Sequence, residues 1–121
     1  CVNCREMEAN VWSDPRVLEM LRNEYVIIAL YVDDKTTLPE DEWMVNSKGK
    51  KKKTSIGSKN SAFQISKFDA NAQPYYCLMG HNGELLVEPR SYNLDKDAFV
   101  DFLKKGVENF NNGVSIRNIY E

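Results

Sequence analysis

Two cysteines separated by two residues head the chain, Cys1 and Cys4 in "CVNCREMEANVW". Thiols at that spacing suit three chemistries: a redox dithiol, half of a zinc site, or a structural staple. A zinc ligand set is formally on hand in Cys1, Cys4, Cys77 and His81. Cys77 lies in an apolar run and His81 at the turn after it. Four extended residues put their α-carbons roughly 13 Å apart, too far to share one tetrahedral ion without a sharp bend. The second CxxC or HxxxH that usually completes such a site is missing, so no metal is expected. A staple gains most by closing a long loop, and a four-residue ring constrains the unfolded chain very little. The redox reading fits best. At the first turn of a helix, unpaired backbone N–H groups and the helix dipole stabilise a thiolate at Cys1. Cys4, one turn further on the same face, is placed to resolve a mixed disulfide formed at Cys1.

The rest of the chain must position that pair. Its 121 residues suffice for one domain with a hydrophobic core. Sixteen Lys and Arg stand against eighteen Asp and Glu, which gives no global pull toward nucleic acid or an anionic membrane. The longest apolar run, Tyr25 to Val32, is far too short to span a bilayer. With three cysteines, at least one thiol is left over from any intrachain pairing, which argues against a disulfide scaffold. The chain starts at Cys1 rather than at a methionine and reads as a piece of something longer.

From Cys4 to Trp12, Cys4, Met7 and Val11 recur at helical spacing. In "SDP", Asp14 suits a cap and Pro15 a first helical position, and "RVLEMLRNE" carries Val17, Leu18 and Leu21 on one face. "YVIIALYV" is apolar without alternation and rich in β-branching, which predicts a strand buried on both faces. Residues 34–59 lose the pattern and read as a polar, Lys-rich insertion. "NSAFQISKF" is a short helical candidate. "PYYCLMG" and "GELLVEP" predict a hairpin turning at Asn82-Gly83. "LDKDAFVDFLKKGVENF" is the clearest helix, with Phe99, Phe102, Leu103, Val107 and Phe110 on one stripe. Residues 111–121 are weakly patterned and read as a loose tail. Helices and strands in this order predict a mixed sheet with helices on both sides.

With a CxxC opening a helix and a proline ahead of a later strand, the chain resembles a thioredoxin-fold domain. More closely, "CVNCREMEANVW", "LYVDD", "NAQPYYCLMGHNGELL" and "YNLDKDAFVDFLKKG" resemble the C-terminal periplasmic domain of the thiol:disulfide interchange protein DsbD family. The similarity runs from Cys1 to about Gly106, and the expected domain covers residues 1–110 with the insertion left out of the minimal fold. The resemblance implies a thioredoxin-like α/β fold, here lacking the strand that precedes the family's CxxC helix. It implies that Cys1 is the exposed nucleophile and Cys4 the buried resolving thiol, with no cofactor beyond this redox pair. It further implies that Pro74 is a cis-proline facing the dithiol, that Gln73 offers backbone to a substrate, and that Glu8 tunes the thiols' protonation. The implied partners are disulfide-containing periplasmic proteins and a membrane-embedded electron-donor domain of the parent protein, with this domain on the periplasmic side of the inner membrane. A reductase is thus expected; the alternative is a thioredoxin-fold binding module without redox turnover.

Other candidates have plainer explanations. Cys77 in "YYCLM" suits a small buried apolar position. "KGKKKK" has no interleaved aromatic residues, so a solvated loop is expected and no nucleic-acid partner. Asp33 and Asp34 suit a polar strand end, His81 a turn, and Trp12 helix packing.

Overall fold

Asp14 and Pro15 start a helix for the reasons their types suggest. The Asp14 carboxylate accepts the Arg16 backbone N–H at 2.9 Å, and Pro15 occupies the first turn, where a missing N–H costs nothing. The Arg16 guanidinium closes on the same carboxylate, and this hydrogen bonding is the main reason the carboxyl is held down to about 2. The computed structural model describes residues 1–121 and divides them into two units. One comprises Cys1–Ile27 and Ala72–Glu121, the other Ile28–Asn71.

In the first unit, α1 (Val2–Met7) continues through a wider π-helical turn, Glu8–Trp12, and α2 (Pro15–Asn23) follows. The long helix α4 (Lys96–Asn112) is capped by the Asp95 side chain on the Ala98 N–H and ends at Gly113, whose φ of 67° suits a residue without a side chain. Its stripe is buried at Phe99, Phe102 and Leu103. It fades along the helix: Val107 is half-buried and Phe110 exposed. Phe99, Phe102 and Leu103 pack with Met7, Val11 and Val17 into one core, closed by Leu78 and Leu86 from the predicted hairpin. Tyr25 reaches over Gly106 to donate to the Leu103 carbonyl at 2.6 Å, and burial pushes its phenol up to about 12. Arg90 also enters, with Nε and Nη2 buried without hydrogen-bond partners. Its guanidinium carbon lies 5.9 Å from the centre of the Phe102 ring, where the ring face offsets part of that cost.

The hairpin is present. Tyr76 and Arg90 exchange both backbone hydrogen bonds, Leu86 donates to the Leu78 carbonyl, and Gly83 turns the chain at φ 89°. Its second strand, β3 (Glu84–Leu85), pairs antiparallel with β4 (Arg117–Asn118). The final residues are therefore ordered against the hairpin, with Ile119 buried and the Tyr120 ring lying over Gly83, where any side chain would collide with it. Hydropathy alone gave no sign of this docking, because one buried isoleucine among polar neighbours makes no pattern.

The second unit holds a small hairpin, β1 (Met44–Val45) with β2 (Lys51–Lys52), followed by α3 (Ile56–Phe68). The helix is longer than the "NSAFQISKF" candidate because Ser55 caps it, its hydroxyl accepting the Ser58 N–H. Gly57 allows its first turn to lie directly on the Val32–Asp34 backbone; a Cβ there would strike the Val32 carbonyl.

The chain is therefore a mixture of helices and two small antiparallel sheets. The expected single mixed sheet is not formed, since the strands make two separate antiparallel pairs, and a second expectation fails with it. "YVIIALYV" is no strand: residues 25–32 belong to no ladder, and Val26 is 91% exposed, Ile28 78% and Tyr31 66%. Val26 to Leu30 make no backbone–backbone hydrogen bond. A strand exists only against a neighbour that completes its N–H and C=O groups, and no ladder joins this run to either hairpin.

Candidate functional site

Cys1 caps α1. Its Sγ accepts the Cys4 backbone N–H at 3.2 Å, so the first-turn donor that favours a thiolate is already aimed at that sulfur. Cys1 and Cys4 are joined as a disulfide with α-carbons 5.3 Å apart. Cys1 is exposed and Cys4 half-buried. Glu8 follows Cys4 by one turn on the same face and is exposed.

The Gln73–Pro74 bond is cis, with Pro74 buried and Gln73 half-buried. Two residues later the Tyr76 ring packs against Trp12 at the end of the π-helical turn, centroids 6.0 Å apart, and edge-on to Phe99 at 5.3 Å. This pairing links the segment that carries Pro74 to the helix that carries the cysteines. Burial pushes the Tyr76 phenol up to about 12, with the Glu8 carboxylate adding to the rise. The Trp12 indole N–H lies close enough to offset part of it, yet makes no hydrogen bond of normal geometry and is buried without a partner. A second link was not visible in the sequence: the Tyr92 hydroxyl donates to the Glu6 carboxylate, tying the loop before α4 to α1. Nothing in the spacing of Glu6 and Tyr92, 86 positions apart, announces that contact.

The remaining candidates lie elsewhere. Cys77 is a free, half-buried thiol pushed by burial up to about 11, which keeps it protonated at neutral pH. His81 is exposed, its ring edge-on to Phe110. Asp34 accepts the Thr36 N–H in a local turn, and that bond lowers its carboxyl below the usual range.

After reduction, alkylation by iodoacetamide at neutral pH is expected at Cys1 first, Cys4 more slowly, and Cys77 last. Peptide mapping by mass spectrometry reads the order. Modification of Cys4 ahead of Cys1 would reverse the assignment of nucleophile.

No protein-family model matches the chain, and no curated protein matches it.

Proposed function

We propose that this chain is a thioredoxin-like thiol–disulfide oxidoreductase that reduces disulfides in partner proteins. The observation carrying the proposal is the bonded Cys1–Cys4 pair at a helix start, with Cys1 exposed and its sulfur already accepting a backbone N–H. The cis bond at Gln73–Pro74, on a segment linked to the same helix through Tyr76 and Trp12, supports the thioredoxin-like arrangement.

In the reducing cycle both thiols begin reduced. The Cys1 thiolate attacks one sulfur of a partner's disulfide; that S–S bond breaks, and the leaving thiolate takes up a proton. Cys4 loses its proton and attacks Cys1 Sγ, forming Cys1–Cys4 and releasing the second partner thiol. Two electrons have passed to the partner. An external dithiol restores the pair, and for this role we propose a membrane-embedded donor domain of a parent protein, with the chain on the periplasmic side of the inner membrane. Glu8, on the face of Cys1 and Cys4, is assigned to tuning their protonation. The Gln73 backbone is assigned to pairing with an extended substrate segment.

An insulin-reduction assay with dithiothreitol as donor tests the reading. Precipitation of the insulin B chain well ahead of the dithiothreitol control is expected. A rate equal to the control, from protein that is folded by circular dichroism, leaves a binding module without turnover as the better account.

A further inference from the structure

We propose that the lysine-bearing tip of the β1–β2 hairpin is a docking surface for an anionic lipid bilayer. The proposal is independent of the redox reading. Lys48 and Lys50 to Lys53 fill five of six consecutive positions, in a chain whose net charge is −2. All five are exposed and none forms an ion pair; the one lysine pairing with the nearby acidic turn is Lys59, with Glu42 at 3.3 Å.

The tip is built rather than loose. Asn46 Oδ1 accepts the N–H groups of Lys48 and Lys50 at 2.9 and 3.0 Å, Asn46 donates to the Lys50 carbonyl, and Gly49 turns at φ 77°. At the base, Thr54 is almost fully buried. Its hydroxyl accepts the Met44 N–H and donates to the Lys52 carbonyl, which clamps the two strands together. The lysines are thus held together on a fixed backbone, so like charges are concentrated where an unstructured loop would spread them.

The arrangement of the charges selects the occupant. Lys51 and Lys52 are neighbours in one strand and project to opposite faces. No flat protein epitope or single groove meets both, whereas a fluid layer of anionic headgroups rearranges around a protruding tip. Nucleic acid fits less well: none of the five is an arginine with its two-pronged grip on phosphate, and residues 46–53 offer no aromatic ring for a base to stack on. Val45, 61% exposed and paired across the strands with Lys51, supplies an apolar side chain beside the charges at the depth of the headgroups.

Co-sedimentation of the full chain with vesicles tests this. Binding is expected to vesicles containing about one-third phosphatidylglycerol in phosphatidylcholine, not to phosphatidylcholine alone, and to vanish at roughly 0.5 M salt. Each lysine removed should weaken partitioning about fivefold. The variant carrying Lys50→Gln, Lys51→Gln, Lys52→Gln and Lys53→Gln should therefore lose more than about a hundredfold. The four corresponding Lys→Arg changes should retain binding. Circular dichroism establishes that both variants are folded. Absence of binding to the anionic vesicles at low salt overturns the proposal, as does equal binding to neutral ones. Tighter binding to duplex or single-stranded DNA at matched phosphate concentration also overturns it, in favour of nucleic acid.

Discussion

Cys1→Ser is expected to reduce insulin-disulfide turnover to the uncatalysed background, while Cys4→Ser stops the cycle one step later. Serine is a good helix cap, so the first substitution preserves the cap on α1 and removes only the nucleophilic sulfur. The second leaves Cys1 able to attack but without a neighbour to displace the product. Cys4→Ser protein should then accumulate as a mixed disulfide with insulin chains, visible as a mass increase that disappears with excess dithiothreitol. Retention of catalysis by Cys1→Ser would sink the mechanism. So would a Cys4→Ser protein that forms no adduct.

The largest expected effect on stability is at Phe99. Its ring is 2% exposed and touches Tyr76 edge-on and Phe102 at 5.5 Å, so the space it leaves cannot be filled by solvent or by a short shift. Phe99→Ala should cost about 3–5 kcal/mol, against a typical net stability of about 5–15 kcal/mol for a domain. A fall in unfolding midpoint on the order of 15 °C follows, read by thermal circular dichroism. The loss also reaches the site, because Tyr76 is held between Phe99 and Trp12. A midpoint within about 2 °C of the parent would mean that the first unit does not depend on this core.

What could be read from the residues alone depended on whether the signal was local. Asp14-Pro15, the stripe through Phe99 and Leu103, and the Asn82-Gly83 turn each act within a few positions, and all three appear where expected. The helix start at Cys1 followed from the same local reading, whereas the contrast of an exposed Cys1 with a buried Cys4 came only from the family resemblance, and Cys4 is half-buried rather than buried. Relations between distant segments were not legible. The apolar, β-branched "YVIIALYV" reports a demand for burial, yet a strand requires a partner that no residue within it can specify. The pairing of Arg117–Asn118 with Glu84–Leu85 left no trace in hydropathy, since backbone groups do the work there. Residues 34–59 lacked periodicity because β1 and β2 span two residues each, too few to establish one. Buried Asn109, whose amide donates to the Leu86 carbonyl, reads as an ordinary polar position on a helix. At the site, the Tyr76–Trp12 and Tyr92–Glu6 contacts are likewise products of the fold, not of spacing.

The exposed, unladdered run Val26–Leu30 crosses from one unit to the other, and this makes it a natural point of scission. Proteases bind their substrates as extended chain, and this stretch presents unbonded backbone and apolar side chains without any local unfolding. A single cut there separates the peptide carrying Cys1 and Cys4 from the residues that complete its unit further along the chain. Met7, Val11, Val17 and Leu21 on that peptide still bury themselves against Phe99, Val100 and Leu103. The nicked molecule is then a two-chain complex held by hydrophobic burial, by the Tyr92–Glu6 and Tyr25–Leu103 hydrogen bonds and by the Arg16–Asp97 ion pair, its redox pair riding on a fragment that another copy could supply.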